Sequence, residues 1–240
     1  MEKIFVMGDL HGDWNHLNTF INKKNPDIIL QCGDFGYWPK FSGTPTLGKK
    51  VYDKDGLPTK ERHIWRLEDI KNKDTKVYFC DGNHEDHESL KNLENNEILP
   101  NVFYMKRGST LTLPDGRVVL FMGGARSIDL AWRTPGIDWY ADEVISQKDF
   151  YHLPDIDIDI IISHTCPLEF YKDIQSEFVL AKFNDLCYEA LSGLLEKYKP
   201  SLWYFAHFHC SQEGLYKNTK WEMLSMAKDT NWFTELKEKR

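Results

Sequence analysis

Five short apolar segments of this sequence each run directly into polar residues that can bind a ligand. In chain order, the segments and the polar residues after them are Ile4–Met7 with Asp9 and His11, Ile28–Gln31 with Asp34, Val77–Cys80 with Asn83 and His84, Ile158–Ile162 with His164, and Leu202–Phe205 with His207 and His209. Short apolar runs bounded by turn residues are typical of buried strands. Because strand ends in such sheets meet at one edge, the pattern predicts a layered α/β or α+β fold with a polar site there.

The remaining sequence continues this alternation with three more strands and four helices. The further predicted strands are Val102–Tyr104, Val118–Met122 and Trp221–Met226, and the predicted helices are His16–Lys24, Arg62–Lys73, Glu85–Glu94 and Ala181–Lys199. The last helix is the clearest, because apolar residues recur along one helical face and Pro200 then ends it. The polar tail, Lys228–Arg240, is expected to fray or to end in a docked helix.

Composition places the chain among ordinary globular proteins. It is 41% hydrophobic and 28% charged, and its net charge of -7 argues against a protein that coats nucleic acid. No apolar run approaches the roughly 18 residues that a membrane span needs, and the N-terminal segment lacks the pattern of a secretory signal. The odd count of five cysteines implies no complete disulfide framework. We therefore expect one domain over residues 1–240, located in a reducing cytoplasm.

A long segment without a clear period, residues 36–60, interrupts the alternation of strands and helices. Residues 37–62 contain six basic against three acidic side chains, together with four aromatic rings. Positive charge beside aromatic rings favours a nucleotide-like ligand, and the alternative is a solvated loop whose rings pack on the domain. We expect an insertion that covers the site and helps to select the substrate.

The polar residues at the strand ends have the chemistry of a metal centre. Two aspartates, one asparagine and at least four histidines are too many donors for one ion. Carboxylate, imidazole and amide donors without thiolate suit manganese, iron or zinc better than a structural zinc site. Two ions about 3.5–4 Å apart, bridged by one carboxylate, would use the whole set.

The five motifs, in this order, resemble the signature of the calcineurin-like metallophosphoesterase family, and they span Asp9 to His209. The resemblance implies a four-layer αββα sandwich of the single-domain bacterial or phage type. It also implies two sets of metal ligands that share Asp34, namely Asp9, His11, Asp34 and His209 for one ion and Asp34, Asn83, His164 and His207 for the other. His84 matches the family's histidine that is not a ligand and that protonates the leaving oxygen or steadies the phosphoryl group.

Two departures from the family pattern affect the prediction. Ala206 stands where the last motif usually has glycine, which we expect the strand end to tolerate. The segment after Asp34 lacks the Asp-Arg-Gly continuation of the protein serine/threonine phosphatases, which argues against that role.

Arg126, with Arg133 seven residues later, follows the strand Val118–Met122. We predict that Arg126 binds the phosphate through its forked guanidinium, the alternative being a surface ion pair.

The combined prediction is a dinuclear metal-dependent hydrolase of phosphoesters, with a slight preference for phosphodiesters of nucleotide type. A phosphomonoesterase is the first alternative, and a nuclease on polymeric nucleic acid or a metal-bound interaction scaffold are less favoured ones. Manganese is the expected metal, with iron, zinc, nickel or cobalt as alternatives. The expected partner is a small phosphoester substrate, and neither a membrane nor a stable protein partner is inferred.

Overall fold

Two six-stranded sheets form the centre of the computed structural model, which describes residues 2–41, 70–71, 74–175 and 185–237. Their strands, in chain order, are β1 (Ile4–Met7), β2 (Ile28–Gln31), β3 (Lys76–Phe79), β4 (Glu97–Leu99), β5 (Val102–Tyr104), β6 (Thr110–Thr112), β7 (Val118–Met122), β8 (Ile160–Ser163), β9 (Leu202–Phe205), β10 (Gln212–Tyr216), β11 (Thr219–Met223) and β12 (Phe233–Glu235). The strands are short and apolar, as the alternation of the sequence indicates.

Each sheet has a parallel centre and an antiparallel strand at either edge. The first sheet has the order β12-β1-β2-β3-β5-β4, and the second has the order β10-β11-β9-β8-β7-β6. In the first sheet Val6 lies opposite Leu30, and Leu30 lies opposite Tyr78. Strands β1, β2 and β3 therefore end level with one another, and β8 and β9 do the same in the second sheet. This register brings the residues that follow these strands to one edge.

Among the described residues, four α-helices cover the outer faces of the sheets. They are α1 (Trp14–Lys24), α2 (His87–Lys91), α3 (Leu168–Tyr171) and α4 (Leu186–Tyr198). The N-terminal backbone N–H groups of α1, α2 and α4 are capped by the carboxylates of Asp13, Asp86 and Asp185. Helices α1 and α4 end at Asn25 and Lys199, whose left-handed backbone stops each helix.

Three separate apolar cores hold the layers together. The core between α1 and the first sheet includes Phe5, Leu17 and Phe20. The core between the two sheets includes Val6, Leu30, Val119 and Ile162. The core between the second sheet and α4 includes Leu191, Leu195, Trp203 and Phe205. Three buried interfaces between four layers confirm the predicted αββα sandwich.

The C-terminal tail differs from the sequence-based expectation. Residues 228–240 were expected to fray or to end in a helix, but Phe233–Glu235 forms β12, antiparallel to β1. The ring of Phe233 is half-buried and packs on Phe5 and Phe20, with ring centroids 6.1 and 4.7 Å apart. This packing determines the extended conformation of the tail. The edge strands β4, β6 and β10 were not predicted either, because each has exposed or half-buried residues and little apolar pattern.

Most of the predicted helix Arg62–Lys73 and residues 42–60 of the predicted insertion lie outside the described residues. Before them, Pro39–Phe41 forms one turn of 3-10 helix. Within the described ranges, no helix is long and apolar enough to cross a membrane.

Candidate metal centre

The predicted ligand residues meet where β1, β2, β3, β8 and β9 end, and the backbone there is unusual. His11, Asp34, His207 and His209 all have a positive φ, between 48 and 70°. Left-handed backbone is costly for residues other than glycine, and a cluster of such residues at one place is typical of a functional site. Two neighbouring glycines leave the space that the side chains occupy. A Cβ on Gly33 would lie 2.7 Å from the His164 ring, and one on Gly82 would lie 2.1 Å from Asp34 Oδ1.

Four side chains form the first group of donors. His209 Nε2 lies 3.1 Å from Asp9 Oδ2, and His11 Nε2 lies 3.6 Å from Asp34 Oδ2. One donor atom from each of these four residues lies within 4.8 Å of every other. Asp9 and Asp34 are fully buried. Among the described residues, Asp34 Oδ2 has no hydrogen-bond donor, and Asp9 Oδ2 has only the His209 ring within reach. Buried carboxylate oxygens without partners are costly, so the group has the chemistry of a cation site.

A second group of donors extends from the other oxygen of Asp34. His164 Nε2 lies 3.4 Å from Asp34 Oδ1 and 3.1 Å from Asn83 Oδ1. His164 Nδ1 lies 2.8 Å from the carbonyl oxygen of Cys32. Because a carbonyl only accepts, Nδ1 carries the proton and Nε2 can bind a metal. The His207 ring lies against His164, with centroids 4.8 Å apart. Asp34 therefore lies between the two groups.

Burial and charge act in opposite directions on the acidic and basic groups of this centre. Burial raises the pKa of Asp34, but His164, His84 and His11 outweigh it and hold that pKa well below its usual range. Burial lowers the pKa of His164, whereas Asp34 and Asp9 raise it, with a net result of about 9. Without a metal, His164 is therefore doubly protonated at neutral pH, with a proton on Nε2 as well as on Nδ1.

His84 lies beside the donor groups and contacts an arginine. Its backbone N–H donates to Asp34 Oδ1 over 2.7 Å, and its ring lies edge-on to His11, with centroids 4.8 Å apart. The Arg133 guanidinium lies against the ring, with Nη2 2.6 Å from Nε2, and Arg133 Nη1 donates to the Asn83 carbonyl oxygen over 3.2 Å. Burial, the nearby His11 and Arg133 lower the pKa of His84 to about 4, against the opposing effect of Asp34.

Arg126 occupies a different environment. It is exposed, and its backbone N–H donates to Asp185 Oδ2 over 2.9 Å. The arginine that the structure places against His84 is Arg133, whose Nε pairs with Asp129 over 2.7 Å. Ala206, the departure from the family motif, is buried and has no positive φ, so a methyl group is accommodated where the family usually has glycine.

Two buried carboxylates that hold the loops of the site were not predicted from the sequence. Glu85 is fully buried and accepts backbone N–H groups from the turn after Asp34, with distances of 2.6 Å to both Phe35 N and Tyr37 N and 3.1 Å to Gly36 N. Glu143 is also buried and accepts both the backbone N–H and the hydroxyl of Ser127. The position of Glu85 beside His84 was a usable signal. Glu143 lies in a segment without a motif and gave none.

Several known proteins resemble this chain. Residues 2–211 match the family model described as calcineurin-like phosphoesterase. The chain is 26% identical over 232 residues to the lariat debranching enzyme of Schizosaccharomyces pombe and 23% identical over 237 residues to that of Homo sapiens, each alignment covering 86% of this chain. It spans about half the length of these relatives, 48% and 42%. A solved structure from Thermus thermophilus has a TM-score of 0.48 and 11% identity, covering 94% of this chain and 89% of its own.

Proposed function

Since this chain belongs to the calcineurin-like phosphoesterase family, as its motifs predicted, and is a hydrolase of phosphoester bonds, we propose that it cleaves phosphodiesters with the help of two divalent cations. The observation that carries this proposal is the convergence of Asp9, His11, Asp34 and His209 around two buried carboxylates, of which Asp34 Oδ2 has no hydrogen-bond donor among the described residues and Asp9 Oδ2 has only a histidine ring. A cation would satisfy those oxygens.

Each donor group would hold one ion. Asp9, His11, Asp34 and His209 are the proposed ligands of the first ion, and Asp34, Asn83, His164 and His207 are those of the second. Divalent cations at these positions would neutralise phosphoryl oxygens and activate water by Lewis-acid chemistry. Manganese is the proposed metal, because oxygen and imidazole donors without thiolate suit it, and iron, zinc, nickel and cobalt remain alternatives.

The protein's own side chains orient the substrate beside these ligands. His84 points into the same space as His11, and we assign it to the leaving oxygen or a phosphoryl oxygen, as donor of a hydrogen bond or a proton. Arg133 holds the His84 ring and the Asn83 carbonyl in place. Arg126, which is exposed and lies seven residues before Arg133, is proposed to attract the phosphate from solvent.

A phosphodiester is favoured over a monoester by the relatives whose name is lariat debranching enzyme. Because those relatives are longer proteins, only the class of substrate is proposed for this chain, and that class is a nucleotide-type diester. All seven proposed ligand residues and His84 are present, which supports an enzyme over a binding scaffold with the same fold. We propose that the protein acts in the cytoplasm.

The test is hydrolysis of two chromogenic esters by the full chain, stripped with a chelator and then supplied with Mn²⁺. Bis-p-nitrophenyl phosphate reports diester cleavage, and p-nitrophenyl phosphate reports monoester cleavage. We expect Mn²⁺-dependent activity on the diester that exceeds activity on the monoester. Preference for the monoester would replace the diesterase proposal with a phosphatase.

Two variants separate loss of the site from loss of the fold. Asp34→Asn keeps the size of the residue proposed to bridge both ions, and we expect it to lower diester hydrolysis at least ~100-fold. Asp155→Asn, an exposed residue outside the donor groups, is the matched control and is expected to retain full activity. Full activity in Asp34→Asn would refute the assignment.

A further inference from the structure

A buried carboxylate behind the metal centre engages both hydrogen-bond donors of one serine. Glu143 is 1% exposed and Ser127 is 2% exposed. The Ser127 backbone N–H donates to Glu143 Oε1 over 2.7 Å, and the Ser127 hydroxyl donates to Glu143 Oε2 over 2.6 Å. A hydroxyl has one proton, so the serine oxygen can only accept from any other neighbour.

That other neighbour is the Asn83 side chain. Asn83 Nδ2 donates to Ser127 Oγ over 3.2 Å, while Asn83 Oδ1 lies 3.1 Å from His164 Nε2. The nitrogen and oxygen of an asparagine amide are assigned from their hydrogen-bond partners. Here the direction of the hydrogen bond is fixed, because the Ser127 hydroxyl already donates its proton to the Glu143 carboxylate. The amide nitrogen must therefore face Ser127, and the amide oxygen must face the donor groups.

The other orientation of the amide would oppose metal binding. Turned by half a rotation, Asn83 would place its oxygen against the lone pairs of Ser127 Oγ and its NH2 group toward the donor groups. An amide oxygen binds a cation, whereas an NH2 group repels one. The direction of one hydrogen bond thus decides whether Asn83 offers a ligand.

Arg107 ties Glu143 back to the turn that carries Asn83. Its guanidinium is buried, with Nη2 3.0 Å from the Glu143 carbonyl oxygen and Nε 3.0 Å from Asp81 Oδ2. Asp81 lies two residues before Asn83. The contacts therefore form a closed ring, from Asp81 through Arg107, Glu143 and Ser127 to Asn83.

We propose that Glu143, acting through Ser127, is a positioning residue that keeps the amide oxygen of Asn83 turned toward the second ion. This inference rests on the proposed function, in which Asn83 is a ligand of that ion. Glu143 and Ser127 are not among the proposed metal ligands. Their effect is expected in the affinity for one of the two cations.

The test is a calorimetric titration of the chelator-stripped full chain with Mn²⁺, with diester hydrolysis and thermal unfolding measured on the same samples. Glu143→Gln has nearly the shape of glutamate, but its NH2 group donates to Ser127 Oγ, which frees the hydroxyl proton to point at Asn83. We expect one of two bound Mn²⁺ ions to lose roughly 10–100-fold in affinity, the usual cost of losing a hydrogen-bond partner behind a metal ligand. Glu169→Gln is the matched control, because Glu169 also accepts a serine hydroxyl, that of Ser192, outside the donor groups.

The order of two variants distinguishes positioning from simple support of the fold. Ser127→Ala removes the acceptor but does not reverse the hydrogen bond, so we expect a smaller loss of Mn²⁺ affinity than in Glu143→Gln. If the network only supports the fold, Ser127→Ala should lower the Mn²⁺ affinity at least as much as the nearly isosteric Glu143→Gln does. That order, with loss of affinity tracking loss of thermal stability, would overturn the proposal.

A variant of the ligand itself gives a second readout. In Asn83→Asp both ends of the side chain are oxygens, so no orientation remains to be selected. Adding Glu143→Gln to Asn83→Asp should not lower the Mn²⁺ affinity, because the freed Ser127 hydroxyl proton can donate to the new carboxylate; a full 10-fold loss in that background would refute positioning. If the unaltered protein binds no Mn²⁺ and cleaves neither ester, the proposed function itself fails. If it binds two ions and Glu143→Gln binds both equally well, only the positioning role fails.

Discussion

Replacing Glu85 by glutamine should destabilise the protein severely although the side chain keeps its shape. Both oxygens of the Glu85 carboxylate accept backbone N–H groups, Oε1 from Phe35 at 2.6 Å and Oε2 from Tyr37 at 2.6 Å, and Gly36 N lies between them. A carboxylate suits this position because its hydrogen-bond partners among the described residues are three backbone N–H donors. In Glu85→Gln, one end of the side chain becomes an NH2 group that faces an N–H group.

The size of the effect follows from the contacts that are lost. One charge-assisted hydrogen bond, worth about 1.5–3 kcal/mol, disappears, and a buried donor left without a partner costs about 1–3 kcal/mol more. The free energy of unfolding should therefore fall by roughly 3–5 kcal/mol. For a chain of this length that corresponds to a decrease of roughly 6–20 °C in melting temperature. The turn also carries Asp34, so affinity for Mn²⁺ should fall as well.

Urea unfolding followed by circular dichroism measures the change, and Mn²⁺ titration measures the effect on the site. Glu88→Gln, three residues away on α2, is the matched control. Glu88 is exposed and pairs with Lys40, and such surface pairs contribute about 0–1 kcal/mol. Stability of Glu85→Gln within about 1 kcal/mol of the unaltered protein would show that the turn does not depend on this carboxylate.

Three further changes test other parts of the site. Gly82→Ala should lower Mn²⁺ affinity and diester hydrolysis at least ~10-fold, because the new Cβ would lie 2.1 Å from Asp34 Oδ1; unchanged Mn²⁺ titration and rate would contradict this. Arg107→Lys should lower the free energy of unfolding by about 3 kcal/mol in urea, since lysine cannot reproduce the forked contacts; a loss under 1 kcal/mol would be contrary to expectation. Arg133→Ala should lower kcat/KM for the diester more than Arg126→Ala does, because Arg133 contacts His84, and the reverse order would favour Arg126 as the main phosphate contact.

The central part of the fold and the proposed ligands were predictable because they depend on local pattern. The run Ile158–Ile162 is apolar enough to predict a buried strand, although the strand itself is Ile160–Ser163, two residues later at its start and one at its end. The histidine that follows lies at the sheet edge. Recognition of the motifs supplied the family, the four layers and the division of ligands between two ions. The match over residues 2–211 confirms the family.

The rest depends on contacts between residues far apart in the sequence. Strand β12 forms because Phe233 finds a pocket made by Phe5 and Phe20, more than 200 residues earlier. The role of Glu143 depends on how a segment without regular pattern returns to Ser127. Neither residue has a distinctive neighbour in the sequence. Tertiary packing, not local sequence preference, determines both the formation of β12 and the contact of Glu143 with Ser127.

The left-handed backbone at His11, Asp34, His207 and His209 has a consequence for how this protein can evolve. Each such residue opposes folding by roughly 1–3 kcal/mol, and glycine in its place would relieve most of that strain. Substitution of His207 by glycine should therefore raise the free energy of unfolding while it lowers diester hydrolysis. Selection for robustness alone would erode the ligand set, so these four residues persist only while the chemistry they serve is under selection.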